Sequence, residues 1–407
     1  MKIALLSYEY PAETGFGGIG TYTWHHSRAL AALGHEVHVL AGAISPTSMR
    51  DAEEGGVMVH RYWAGGPAMR TIYGLGAFKL WWSRQRLANA ISMRRGLTEL
   101  NRRYRFDVIE MPECGAEGAL IASQVDSPTV VRLHSPSHLI MPYYDVNKAD
   151  IRLCRAIERR ALDRATALTA CSGFVARQAA DQMGLDRPIT VIPNGIDPQW
   201  LNGFYGGTNS QLQFGIPVGV PVVLFTGRME RRKGVHLLPA VAAALLERHE
   251  VALVLAGSDL FGYVERTLLP SLEGRRLRGS IHPLGAVSLA AIRGLVTSAD
   301  IVLLPSLWEN CPYACLEAMG LGKPVVGSDQ GGMPELINHG VNGQLARVDD
   351  ADAFVAAVEE MLASPYRRRA IGEAAKSTIR DSHNALDLAR ETVDLYESLR
   401  LGSSNQS

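Results

Sequence analysis

The stretch PSLWENCPYACLEAMGLGKPVVGSDQGGMPEL, Pro305 to Leu336, decides how the rest of the chain is read. It follows a short apolar run, Ile301 to Leu304, and carries Glu309, Glu317 and the pair Gly331-Gly332. In open α/β sheets ligands sit beyond the carboxyl ends of the strands, so acids just after a buried strand stand where ligands bind. The spacing predicts a helix over Ala314 to Leu321, stopped by Gly322 ahead of Pro324. A carboxylate at its start is a natural acceptor for the paired hydroxyls of a ribose, and Glu309 would accept from a second polyol held beside the first. On these residues alone, an acid complementing a helix dipole and a solvated loop acid remain open alternatives.

Outward from this stretch, strand-like and helical runs alternate along the whole chain. Lys2 to Ser7, Glu36 to Leu40, Val57 to Tyr62, Asp107 to Met111, Thr129 to Leu133, Ala167 to Cys171 and Ile189 to Ile192 read as strands of a first half. Val222 to Thr226, Val251 to Ala256, Ser280 to Leu284, Ile301 to Leu304 and Val325 to Gly327 read as strands of a second. Such alternation implies two doubly wound, mostly parallel α/β sheets, each Rossmann-like, facing a central cleft of the kind that takes ligands. The expected organisation is a first domain over 1–200, a Gly-, Asn- and Pro-rich linker over 201–221 and a second domain over 222–380. A terminal helix over 381–401 would bury its apolar stripe, and 402–407 would form a disordered tail.

With 407 residues, 47% hydrophobic and 20% charged, the chain is long for one core and far from the disordered regime. Forty-one basic side chains balance 41 acidic ones, which gives no global electrostatic case for nucleic acid. Five cysteines without a C-x-x-C pair fit neither a disulfide framework nor a zinc site, and suggest a cytoplasmic chain. The first residues lack the order of a signal peptide, and the richest apolar run, Leu237 to Leu246, is too short to span a bilayer. Lys79 to Arg105 holds eight basic residues beside Trp81 and Trp82; its charges do not sort to one helix face, so a solvated helix is expected there, with an anionic acceptor or lipid headgroup as the other reading.

Three further groups carry chemistry. Gly15 to Gly20 satisfies G-x-G-x-x-G, but seven residues separate it from the first strand and no ribose-binding acid closes the second, so a dinucleotide fingerprint is disfavoured. What remains is a glycine-rich helix start able to approach a phosphate, or merely a turn that needs glycine. Arg228 and Lys233, in TGRMERRKG, follow the first strand of the second half, where a pair of cations just before the next helix suits an anionic ligand; Arg231 and Arg232 read as surface charge. His134 lies just beyond the strand Thr129 to Leu133, while His138 reads as a loop residue.

The E-x7-E pair with EAMGLGKPVVGSDQGGMPEL, together with IPNGID, GRMERRKG and HPLGAV in the same order, resembles the family 4 retaining glycosyltransferases of GT-B fold. The resemblance implies transfer of a sugar from a UDP- or GDP-sugar to a hydroxyl of a saccharide, lipid-linked sugar or small metabolite. Front-face substitution would need no protein nucleophile, no metal and no cofactor. By that likeness Gly17 and Gly18 face the donor diphosphate, Arg228 and Lys233 bind it, Glu317 holds the ribose and Glu309 the hexose. His134 contacts the transferred sugar, and backbone at Leu284 and Gly285 holds the base. Where the family commonly has Gly-Phe-Gly after the first Glu, this chain has Asn310, Cys311, Pro312 and Tyr313. Pro312 has no N-H to offer a sugar hydroxyl, which leaves the sugar open and points to the Asn310 side chain. A sugar-nucleotide epimerase of the same fold and a silent sugar-nucleotide-binding subunit are the rival readings, and peripheral contact with a membrane stays open.

Overall fold

The computed structural model describes residues 1–15, 17–65, 80–121, 125–202 and 210–404. The chain divides into one unit of Met1–Asp197 with Ala385–Ser407 and another of Pro198–Asn384. Residues 203–209 of the expected linker and 405–407 of the expected tail lie outside the described residues, as does Lys79 of the basic segment.

In the first unit β1 (Lys2–Ser7), β2 (Glu36–Ala43), β3 (Asp51–Glu54), β4 (Val57–Trp63), β5 (Val108–Pro112), β6 (Thr129–Leu133), β7 (Ala167–Ala170) and β8 (Ile189–Val191) form one sheet in the order β3-β4-β2-β1-β5-β6-β7-β8. Successive side chains of a strand point to opposite faces, so an apolar run such as β1 needs cover on both sides. Ala4 and Leu6 pack with Met93, Leu97, Ile109, Val131 and Leu162 on one face. Ile3 and Leu5 pack with Leu30, Val39, Val108 and Val130 on the other. The covering helices are α1 (Gly18–Ala32), α2 (Trp81–Tyr104), α3 (Lys148–Arg164) and α4 (Gly173–Met183). All pairings are parallel except β3 with β4. Strand β3, sequence DAEE, was not expected, because an acidic edge strand shows no apolar alternation.

The second unit has β9 (Val222–Thr226), β10 (Ala252–Ala256), β11 (Ser280–Gly285), β12 (Ile301–Leu304), β13 (Val325–Ser328) and β14 (Gln344–Ala346), all parallel, in the order β11-β10-β9-β12-β13-β14. The order reverses direction between β9 and β12, the switch point at which such sheets bind ligands. Val223, Phe225, Leu253, Leu255, Leu303 and Val326 pack against α5 (Leu238–Arg248) and, through Phe354, Val358 and Met361, against α8 (Ala351–Ala363). On the way lie α6 (Leu289–Ser298) and α7 (Tyr313–Gly320); α9 (Pro365–Ser382) packs on α7.

The last helix, α10 (Ala385–Ser404), packs on α1 and buries Ala385, Ala389 and Tyr396 in the core of the first unit. It runs through Gly402, which was expected in a disordered tail. The basic segment also differs from expectation at one residue. Arg86 is buried and donates from Nε to Glu158 Oε1 at 3.0 Å, because α2 packs on α3 along that face, while Arg94, Arg95, Arg102 and Arg103 are exposed.

Candidate active site

In the second unit the turns after β9 and β12 touch. Gly234 stands at φ +77°, and a Cβ there would lie 1.9 Å from the Pro305 carbonyl oxygen, so only glycine lets the two turns approach. Leu307 N-H donates to the Arg232 carbonyl at 2.8 Å, tying them together. Across this contact the Lys233 ammonium pairs with Glu309 Oε1, which also accepts from Ser306 Oγ at 3.0 Å. Arg232 lies 3.6 Å from Glu309 Oε2 and 3.0 Å from Glu230, and it donates to the Trp308 carbonyl at 3.2 Å. Arg228, 3.1 Å from Glu230, keeps 58% of its side chain exposed. One face of the cluster is thus buried and one cation is presented to solvent.

Burial alone would raise the Glu309 carboxyl, yet Lys233 and Arg232 beside it outweigh that and hold it below the ordinary value. Burial pulls the Lys233 ammonium down, more than Glu309 alongside restores. The Glu309 carboxylate thus lies between Lys233 and Arg232.

The Glu309 backbone is fixed from a third side. Gly332 N-H donates to the Glu309 carbonyl at 2.9 Å, Gly331 stands at φ +72°, and a Cβ at Gly332 would lie 1.8 Å from the Asn310 carbonyl oxygen. The Gly331-Gly332 pair therefore permits a close backbone approach behind the acid. Asn310, Cys311 and Tyr313 are buried and Pro312 caps α7 at φ −74°, ψ 127°. Glu317, on the first turns of α7, is half-buried, and among the described residues its carboxylate has neither an ion pair nor a hydrogen-bond donor. Burial pushes that carboxyl up to about 8. At the end of β11, Leu284 is half-buried and Gly285, at φ +65°, is exposed with open space where a Cβ would be.

In the first unit, α1 starts at Gly18 with Gly17 at its N-cap, and Phe16 lies outside the described residues. A Cβ at Gly17 would lie 1.9 Å from Glu9 Oε2, so a carboxylate sits against this helix start and complements its dipole. His134 follows β6 directly. Its ring lies 4.9 Å from that of Tyr22, and burial, with Arg132 and His26 nearby, holds it well below the ordinary histidine value. Among the described residues no helix is long and apolar enough to cross a membrane, and no group of three or more potential ligands could hold a metal ion.

Arg228, Lys233, Glu309 and the Asn310 to Tyr313 segment come together at the β9 and β12 ends, and Glu317 follows on α7. Arg232, read from the sequence as surface charge, is 9% exposed and braces the cluster. Nothing local distinguishes it from its exposed neighbour Arg231; the difference is made by Trp308 and Glu309, more than seventy positions away.

Residues 16–200 match the family model described as Glycosyltransferase Family 4, and residues 208–378 the one described as Glycosyl transferases group 1. The chain is 26% identical over 427 residues to MMP alpha-(1->4)-mannosyltransferase of Mycolicibacterium hassiacum, covering 98% of each chain. It superposes on sucrose-phosphate synthase from Thermosynechococcus elongatus with a TM-score of 0.80 at 22% identity, covering 98% of this chain and 99% of that one. Anabaena Alr3699/HepE in complex with UDP-glucose matches with a TM-score of 0.70 at 19% identity, covering 98% and 100%. With two family models spanning both halves, a relative matched end to end and these shared architectures, the chain belongs to glycosyltransferase family 4, a nucleotide-sugar-dependent transferase of GT-B fold.

Proposed function

We propose that the enzyme moves a sugar from a UDP- or GDP-sugar to a hydroxyl acceptor with retention of anomeric configuration, and that its own cations do the work a metal does elsewhere. The observation that carries this reading is the Lys233–Glu309–Arg232 cluster with Arg228 exposed beside it. A departing diphosphate gains negative charge as the glycosidic bond breaks, and preorganised cations in a partly desolvated site stabilise that charge without reorganising. Arg228 and Lys233 meet the diphosphate. Glu309 accepts from hydroxyls of the sugar, its charge kept by Lys233 and Arg232. Glu317 accepts from the ribose diol, since it has no protein donor among the described residues, and the open space at Gly285 with Leu284 takes the base. Gly17 and Gly18 serve the diphosphate and His134 the transferred sugar, as in the family. With Pro312 unable to donate, Asn310 contributes to the choice of sugar.

The acceptor is a saccharide, a lipid-linked sugar or a small metabolite, in the making of a surface polysaccharide, glycolipid or secondary metabolite. The five free cysteines favour a cytoplasmic enzyme. The test is thermal stabilisation by UDP, GDP, ADP and dTDP at equal concentration, with and without EDTA, since a ligand bound only by the folded state raises its stability. A shift with UDP or GDP that survives EDTA is expected. No shift with any of them, or one abolished by EDTA, sinks the reading.

A further inference from the structure

The segment that ends β5 and follows it, MPECGAEGAL, turns its acids inward. Glu113 is 0% exposed and Glu117 3%. Gly115 at φ +102° and Ala116 at φ +57° make the tight turn that brings both carboxylates back under the strand ends. Glu113 Oε2 accepts from the backbone N-H of His134 at 2.8 Å, and Oε1 accepts from that of Ser135 at 2.5 Å. Two residues on, Ser137 N-H donates to Glu158 Oε2 at 3.0 Å, and Glu158 is in turn held by Arg86. Glu117 Oε1 accepts from Tyr8 N-H at 3.3 Å, just beyond β1. A buried carboxylate is costly unless its lone pairs are filled, and at Glu113 both oxygens accept from backbone amides just beyond β6.

From this geometry we infer that Glu113 is a positioning residue, whose carboxylate grips two successive amides of the loop after β6 and thereby aims the His134 ring. A carboxylate offers an acceptor oxygen to each amide. A carboxamide offers one acceptor and turns an NH2 donor toward the other N-H, so Glu113→Gln releases one of the two amides and the ring direction changes. Protonation has the same effect, because a carboxylic acid keeps one good acceptor and gains a donor. The groups facing Glu113 are Glu158 on α3, Cys114 and, through Cys114 and Glu158, Arg86 on α2. Burial first, and then Glu158, push the Glu113 carboxyl up to about 7, while the amides of His134, Ser135 and Cys114 lower it.

The consequence for catalysis rests on the proposed contact between His134 and the transferred sugar, so the experiment separates the two. The full chain is labelled with 13C-histidine, and the His134 ring signal is assigned by its loss in His134→Gln. In Glu113→Gln that signal is expected to shift while those of His236, His249 and His282 in the second unit stay in place. In the wild type it is expected to move with a midpoint near 7, although the His134 ring itself titrates far lower. Glu113→Asp keeps a carboxylate but draws it back by one methylene, so it should move the same signal and decides the proposal where Glu113→Gln fails to fold. A His134 signal unmoved in a folded Glu113→Gln or Glu113→Asp overturns the inference. With UDP-glucose as probe, Glu113→Gln is expected to lower kcat about 100-fold with KM little changed. Full turnover of UDP-glucose by His134→Gln would remove the sugar contact and leave the ring-shift result standing. The ring signal decides the role of Glu113 whichever nucleotide sugar the enzyme turns over.

Discussion

Lys233 and Glu309 form an ion pair across two turns that lie 76 positions apart in the chain, each side chain largely removed from water. The pair sets Lys233 against the Glu309 carboxylate at a switch point between two strands, with Arg232 also beside the acid. Removing Glu309 leaves Lys233 buried without its carboxylate, whereas removing Lys233 leaves Glu309 still facing Arg232, so each half has a distinct signature.

Lys233→Ala should lose turnover by about 100-fold or more, since one preorganised donor to developing negative charge is worth that much. The fold should survive, because Arg232 still faces Glu309 at 3.6 Å. Circular dichroism and a donor-turnover assay check this together. Normal turnover in a folded Lys233→Ala would take the diphosphate away from this residue.

Arg232→Ala and Arg231→Ala make a controlled pair. Arg232 is buried against Glu230, Glu309 and the Trp308 carbonyl, whereas Arg231 is exposed. Removing Arg232 should destabilise by about 3 kcal/mol, and removing Arg231 by less than about 0.5 kcal/mol. Urea unfolding of both variants measures the difference, and equal midpoints would mean that the brace carries no load.

That contrast also marks how far the sequence is legible. The strands β1, β9 and β12 announce themselves, because a strand buried on both faces reads as a near-continuous apolar run. The E-x7-E spacing and the glycines announce a site, because only glycine tolerates a Cβ position 1.8 Å from a carbonyl oxygen. What stays hidden depends on partners distant in the chain. Arg232 and Arg231 are alike until Trp308 and Glu309 arrive, and Glu113 is one acid among many until the amides of His134 and Ser135 are placed over it. The acidic edge strand β3 is hidden for another reason: only one of its edges is paired, so it needs no apolar code.

The terminal helix is tied to the first sheet by Glu110, which accepts from Tyr22 of α1 at 2.8 Å and from Tyr396 of α10 at 2.7 Å. Tyr396→Phe removes one of two donors to a buried carboxylate without changing packing volume. The expected loss is about 2 kcal/mol of stability, read from denaturant unfolding. An unchanged midpoint would assign the docking of α10 to its apolar contacts alone.

Under the proposed function, Glu317 should give donor binding a pH dependence. Its carboxyl, pushed up to about 8 by burial in the free protein, is largely protonated at pH 6 and ionised above pH 8. A ribose diol donates two hydrogen bonds, and the ionised carboxylate accepts both, whereas the acid form turns a donor of its own toward them. Binding therefore favours the charged form, and protons compete with the nucleotide below about pH 8. The sign follows from linkage: bound nucleotide lowers the Glu317 pKa, so affinity should rise with pH up to about 8 and level off above it. The same group affects the free protein in the opposite sense, because its raised pKa makes a stability contribution that is present below the ordinary carboxyl range and is lost as pH rises through about 8. Isothermal titration with UDP at several pH values measures the first effect. Glu317→Gln should bind more weakly at pH 8 and show a flatter profile, with the part due to the phosphate's own titration remaining. A variant profile as steep as the wild type's would move the ribose away from Glu317 and leave this acid to the dipole of α7.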